Sequence, residues 1–124
     1  MKNIRNKSKT SKEMYKMTKT KVILNEQHKL MDDQKRMLDE RFGIAGWEIT
    51  SVPSKGWILP KMKEVAGDLS NYAVCFASPI PALMKLVAST GNEFYVLHND
   101  NREKKELPNG KIIMTVAKEG WVIV

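Results

Sequence analysis

The longest apolar run in the chain is Tyr-Ala-Val-Cys-Phe-Ala, residues 72–77, and Ser78-Pro79-Ile80-Pro81 follows it at once. A run that short, rich in Val and Phe, suits a strand buried on both faces. Ser78 is a favourable helix N-cap, and Pro79 suits the first helical position. Behind them Ile80, Leu83, Met84 and Val87 fall at i, i+3, i+4 and i+7, which is one helix face. A buried strand, a tight turn and a helix packing back on the sheet point to an α/β fold. In open sheets of that kind, ligands bind beyond the carboxyl ends of the strands.

The flanking sequence repeats the pattern. Lys21 to Asn25 reads as a first strand. A helix of about 16 residues is expected to follow, with Glu26 in its first turn, Leu30, Met31, Met37, Leu38 and Phe42 as its apolar stripe, and Gly43 as its C-cap. Trp47 to Val52 alternates as a second strand, and Pro53 to Gly56 ends it in a loop. A second helix behind Pro60 carries Met62, Val65, Ala66 and Leu69 on one face. After the central strand and its helix, closed by Gly91, Glu93 to His98 reads as a fourth strand, with Phe94 to Leu97 buried. Arg102 to Glu106 is a charged loop or solvated hairpin, and Pro108-Asn109-Gly110 is a turn. Ile112 to Val116 and Trp121 to Val124 are further strands. The predicted fold is thus an open, mostly parallel, Rossmann-like α/β sheet with helices on both faces and a C-terminal antiparallel meander. It occupies residues 21–124 as one domain behind a basic tail, 1–20.

Charge separates those two parts. The chain of 124 residues carries a formal +7, yet residues 1–20 alone hold seven basic side chains against Glu13, and the rest is nearly balanced. The basic pI therefore describes a tail rather than a nucleic-acid-binding face. The tail reads either as solvated and disordered or as a short helix using Met14, Tyr15 and Met17 against a partner or nucleic acid. Met14 and Met17 also offer alternative translation starts. No apolar run approaches the roughly 20 residues of a membrane helix, and no apolar stretch follows the basic N-terminus as in a secretory signal. A lone cysteine, Cys75, excludes an intrachain disulfide and reads as a buried small hydrophobe. Cytoplasm is the expected compartment.

The carboxyl rim collects the chemistry. It gathers Asn25 to His28, Ser78 to Pro81, His98 to Arg102 and the loop Pro53 to Trp57. A helix start at Ser78 offers free N–H groups to an anion. Asn99, Asp100 and Arg102 suit ribose and phosphate, and Trp57 offers an indole for a base. The competing reading is that Asn99, Asp100 and Asn101 merely cap and turn a loop. Seven scattered glycines exclude a Rossmann fingerprint or Walker loop. His28, Cys75 and His98 lack metal-ligand spacing, so neither a metal nor a cofactor is expected. A Ser78–His98–Asp100 triad can be written, but no nucleophile elbow surrounds Ser78, and Pro79 removes an oxyanion-hole N–H. A metal-free attack by a ribose 2′-hydroxyl on its own phosphate needs only a base or charge clamp, such as His98 or Arg102.

From residue 21 to about 102, the order of elements and the sequence Val-Cys-Phe-Ala-Ser-Pro-Ile-Pro resemble small CRISPR-associated Rossmann-like (CARF-type) domains. They also resemble stand-alone ring nucleases and phage anti-defence proteins that bind cyclic signalling nucleotides. The resemblance implies ligand phosphates at the Ser78 turn, with Asn99 and Arg102 nearby, and a two-fold site shared by two subunits. The Ile112–Val124 segment and the basic tail fall outside that pattern. The expected function is binding of a signalling nucleotide, with sequestration or slow cleavage both open. The alternatives are a nucleic-acid-binding module acting through the tail and an oligomer-forming structural protein of viral type with Met-rich helices.

Overall fold

A computed structural model describes residues 19–124; both readings of the tail concern residues that lie almost wholly outside it. The described chain begins with strand β1 (Thr20–Asn25), helix α1 (Asp32–Phe42) and strand β2 (Trp47–Val52). Helix α2 (Leu59–Asp68), strand β3 (Val74–Phe76), helix α3 (Pro81–Ser89) and strand β4 (Phe94–His98) follow. Strands β5 (Arg102–Glu106), β6 (Ile112–Val116) and β7 (Val122–Ile123) complete it. The main sheet has the order β2-β1-β3-β4-β7. Its first four strands are parallel, and β7 joins β4 antiparallel. The open α/β sheet read from the sequence is therefore present. Its antiparallel end is divided: β7 extends the main sheet, while β5 and β6 stand apart as a two-stranded ribbon.

Chain order reverses direction across this sheet. From β1 the chain steps outward to β2, then crosses to β3 on the other side of β1 and continues to β4. A single crossover hand requires the helices to change face at that reversal. They do. Helix α1 covers one face through Leu38, over Val22, Leu24, Cys75 and Leu97. Helices α2 and α3 cover the other, where Val65, Ala66, Leu83 and Val87 meet Ile23, Val74 and Phe76. Alternate residues of β1 and β3 therefore feed two separate cores, which explains the unbroken apolar runs Val22–Leu24 and Val74–Phe76.

Three boundaries differ from the sequence reading. Helix α1 starts at Asp32 rather than near Glu26. Asn25 takes the intervening backbone: its Oδ1 accepts from the Gln27 N–H and its carbonyl from the His28 N–H, both at 2.9 Å. Such side-chain turns compete with helix formation. Leu30 is buried all the same, as a loop residue. Helix α3 starts after Ile80, with Pro81 in its first turn, so Ser78 is not its N-cap. In β4 only Leu97 is fully buried; Phe94, Tyr95 and Val96 are half-buried. Gly43 does cap α1 with positive φ, whereas Gly91 follows the cap residue Thr90 of α3.

The cores give two expectations. Leu83 is 0 % exposed between α3 and the sheet, so Leu83→Ala should lower unfolding free energy by about 2–5 kcal/mol in chemical denaturation. Cys75 is 0 % exposed, and burial pushes its thiol pKa up to about 12. The thiolate is the nucleophile. Cys75 should therefore resist alkylation by iodoacetamide at mildly alkaline pH until denaturant unfolds the chain.

Candidate functional site

The chain leaves β1 toward α1 on one face, and leaves β3 toward α3 on the other. The two exits must separate, and between them the carboxyl rim opens. Rules for open α/β sheets put a ligand crevice at such a switch point. The last backbone bonds before the split are specific. The Ala77 and Ser78 N–H groups both donate to the Ile23 carbonyl, at 2.9 and 3.0 Å. The Ser78 hydroxyl then accepts from the Asn25 N–H at 2.9 Å. Ser78 is 5 % exposed. Its side chain ties the two exits together at the base of the split.

Above that base lies a crevice of about 470 Å³. Leu24 and Ala77 line it from the strand ends, and Gln27, His28 and Lys29 from the β1–α1 loop. Met31 and Gln34 close the α1 side; Val116 and Trp121 close the other. Gln34 is buried and its Oε1 accepts from the Met31 N–H at 2.8 Å. Among the described residues the lining contains no carboxylate and two basic side chains, His28 and Lys29. The indole Nε1 of Trp121 is buried, with no hydrogen-bond acceptor among the described residues. A buried donor without an acceptor is unfavourable, and this N–H is the one buried side-chain polar atom among the described residues that lacks a partner.

Trp121 is held there from two directions. Asn99, 5 % exposed, donates through Nδ2 to the carbonyls of Ala117 and Glu119, at 3.2 and 2.9 Å. Its Oδ1 accepts from the Asn101 N–H at 2.9 Å. From α1, Asp33 accepts the N–H groups of Gly120 and Trp121 on Oδ2, both at 3.1 Å, across 87 and 88 residues of chain. The Arg36 guanidinium bonds the other oxygen of Asp33 at 2.7 Å. These partners, Arg36 first and the Trp121 N–H next, hold the Asp33 carboxyl below its usual range. Gly120 permits the turn: its φ is +93°, and a Cβ there would lie 2.5 Å from Asn101 Nδ2.

The residues expected to bind ligand are thus dispersed. Ser78 and Asn99 are buried, with the Ser78 hydroxyl and both polar ends of the Asn99 amide in backbone bonds. Arg102 donates to the carbonyls of Asn99 and Asn101, each at 2.9 Å, and so braces the same corner. Asp100 is exposed and pairs with His98 Nε2 at 2.6 Å. Ser78 therefore has no bond to His98, and no triad forms. Trp57 lies against the α2–α3 core and lines a different cleft, with Lys21, Thr50, Lys61 and Tyr72. No group of three or more His, Cys, Asp or Glu side chains that could hold a metal occurs among the described residues. Asp33 and Trp121 went unremarked as site residues because no local spacing marks them. They meet only when β7 pairs with β4.

No family model matches this chain, and neither a curated protein nor a solved structure does.

Two substitutions test the corner. Asn99→Ala strands the Ala117 and Glu119 carbonyls and should lower stability by about 1–3 kcal/mol by urea denaturation. Asp33→Asn should accelerate amide exchange at Gly120 and Trp121. Because the folded pKa of Asp33 is depressed, its ionised form adds stability above the ordinary carboxylate pKa of about 4. That contribution is lost as pH falls through the lower folded value. The stability gap between wild type and Asp33→Asn should accordingly shrink in that acidic range.

Proposed function

We propose that the switch-point crevice binds a small phosphorylated ligand of nucleotide type, such as a cyclic signalling nucleotide. The observation that carries this reading is the unsatisfied Trp121 N–H beside a crevice with basic but no acidic lining. An indole offers a face for a base to stack on and a donor for a ring nitrogen or phosphate oxygen. Lys29 supplies a mobile point charge, and the His28 ring a second hydrogen-bonding group. Gln27 adds amide groups for a sugar or base edge. Apolar Leu24, Met31, Ala77 and Val116 fit the mostly apolar lining usual for small-molecule sites. Ser78, Asn99 and Arg102 serve this site by fixing its base and its Trp121 wall.

Binding is the activity these groups support. Among the described lining residues His28 carries the side chain suited to general acid–base work, so cleavage would fall to it. The buried thiol of Cys75 fits a reducing compartment such as cytoplasm.

Native mass spectrometry with a panel of cyclic mono-, di- and oligonucleotides tests the reading. An intact adduct means sequestration, linear product means catalysis, and no adduct across the panel removes the proposal. Trp121→Phe keeps the ring and deletes the donor. It should weaken binding by about 1–3 kcal/mol in calorimetry. The ligand-free variant should be no less stable than wild type, since the deleted donor had no acceptor.

A further inference from the structure

Strands β5 and β6 form an antiparallel ribbon, with Arg102 opposite Val116 and Lys104 opposite Met114. Such ribbons normally alternate apolar and polar residues within each strand, so that one face is buried. This one segregates by strand. β5 is Arg-Glu-Lys-Lys-Glu, and β6 is Ile-Ile-Met-Thr-Val. The apolar side chains of β6 are open on both faces: Ile112 is 64 % exposed, Met114 58 % and Ile113 37 %. A difference that runs from edge to edge is not answered by packing one face on a core. It is answered by a neighbour on the far edge of β6, which would make β6 a central strand.

The hydrogen-bond pattern shows what that edge offers. Leu107 N–H donates to the Lys111 carbonyl, and Ala117 N–H to the Asn101 carbonyl. Residues 111, 113, 115 and 117 therefore turn their backbone groups toward β5. Ile112, Met114 and Val116 turn theirs outward, and no described strand lies on that side. Natural edges are usually blunted by charge, proline or bulges. β5 is blunted in this way along its whole length, whereas β6 carries no charge and no proline.

We propose that β6 pairs antiparallel with β6 of a second copy of this chain about a two-fold axis at Met114. In that register Met114 faces the partner's Met114, and Ile112 faces the partner's Val116. Each of these pairs presents outward N–H and C=O groups, so the ladder closes without a slip. Ile113 meets the partner's Thr115, and no like charges come opposite each other along the two strands. The result is a four-stranded sheet, β5-β6-β6-β5, with uncharged strands at its centre and charged strands at both edges. The charged β5 edges end the assembly at two copies, so a closed dimer forms rather than a fibre. A foreign strand or the basic residues 1–18 would also cover β6. Self-pairing gives the uncharged strand an uncharged neighbour and at the same time places this chain's own charged strand at both outer edges, which the basic residues 1–18 would not do. The proposal does not depend on the crevice or its ligand.

Sedimentation of the full chain, from low to high micromolar concentration, should give twice the protomer mass. Met114 lines neither the crevice nor a core, so its variants report on the edge. Met114→Pro deletes an outward N–H that the ribbon does not use, and Met114→Lys charges the edge. Each should weaken self-association by about tenfold or more while Cys75 stays protected from alkylation, which certifies the fold. Met114→Cys should oxidise to a covalent dimer, since facing residues of a hydrogen-bonded pair stand about 5.5 Å apart and disulfides span about 4.4–6.8 Å. Lys104→Cys, on the outer strand, should not. A protomer mass at all concentrations overturns the proposal, whether residues 1–18 or another chain cover the edge. So do a ladder of higher oligomers, a dimer that survives both edge variants, or equal cross-linking of the two cysteine variants.

Discussion

The rest of the structure depends on the stitch between the ends of β1 and β3. The Ile23 carbonyl receives two N–H groups, and the Ser78 hydroxyl takes the Asn25 N–H. Beyond that point the two chain segments part to opposite faces of the sheet. The stitch therefore does two things at once. It satisfies backbone groups that the departing strands would leave unpaired inside the protein. It also fixes where the crevice begins, with a base that is buried and hydrogen-bonded. A serine suits this position because its hydroxyl can accept from a backbone N–H without filling the space that opens above it.

The wall of the crevice has a different physical origin. Strand β7 pairs with β4 over a short stretch, and the turn that precedes it adds further ties. Asn99 and Asp33 bind the 117–121 turn from the end of β4 and the start of α1, and Gly120 lets the backbone pass close to both. The polar residues at this rim thus act chiefly on the protein's own backbone. They deliver an aromatic side chain to the mouth of the sheet and leave its buried N–H without an acceptor among the described residues. The His98–Asp100 pair stays outside this arrangement, on the exposed surface.

The ribbon beyond β4 obeys a third rule. Its apolar side chains contribute little to the two cores, and Val116 alone of β6 reaches the crevice lining. Its composition makes sense across the strands rather than through them, which sets it apart from the other described strands.

Periodicity was a sound guide wherever burial is local in sequence. Leu83 and Val87 on α3, Val65 and Ala66 on α2, and the unbroken apolar run of β3 each declare a buried face, because a helix or strand exposes its period directly. Fold class followed from their order. The start of α1 was misread because Asn25 closes its own turn, a contest between side-chain and helical hydrogen bonds that apolar spacing does not register. From sequence, the chemistry of Asn99 and Arg102 reads as facing a ligand. Which backbone groups they bond depends on contacts made far along the chain.

What the sequence determined by itself was the α/β class, the central strand, the separation of a basic tail from a nearly neutral body, and the burial of Cys75. Tertiary structure alone decided that Ser78 is a tie between strand ends and not a cap, that Trp57 lies away from the rim, and that Asp33 and Trp121 meet. The physical reason is range. Burial patterns are written in neighbouring residues, whereas a crevice at a switch point is made by segments that only strand pairing brings together.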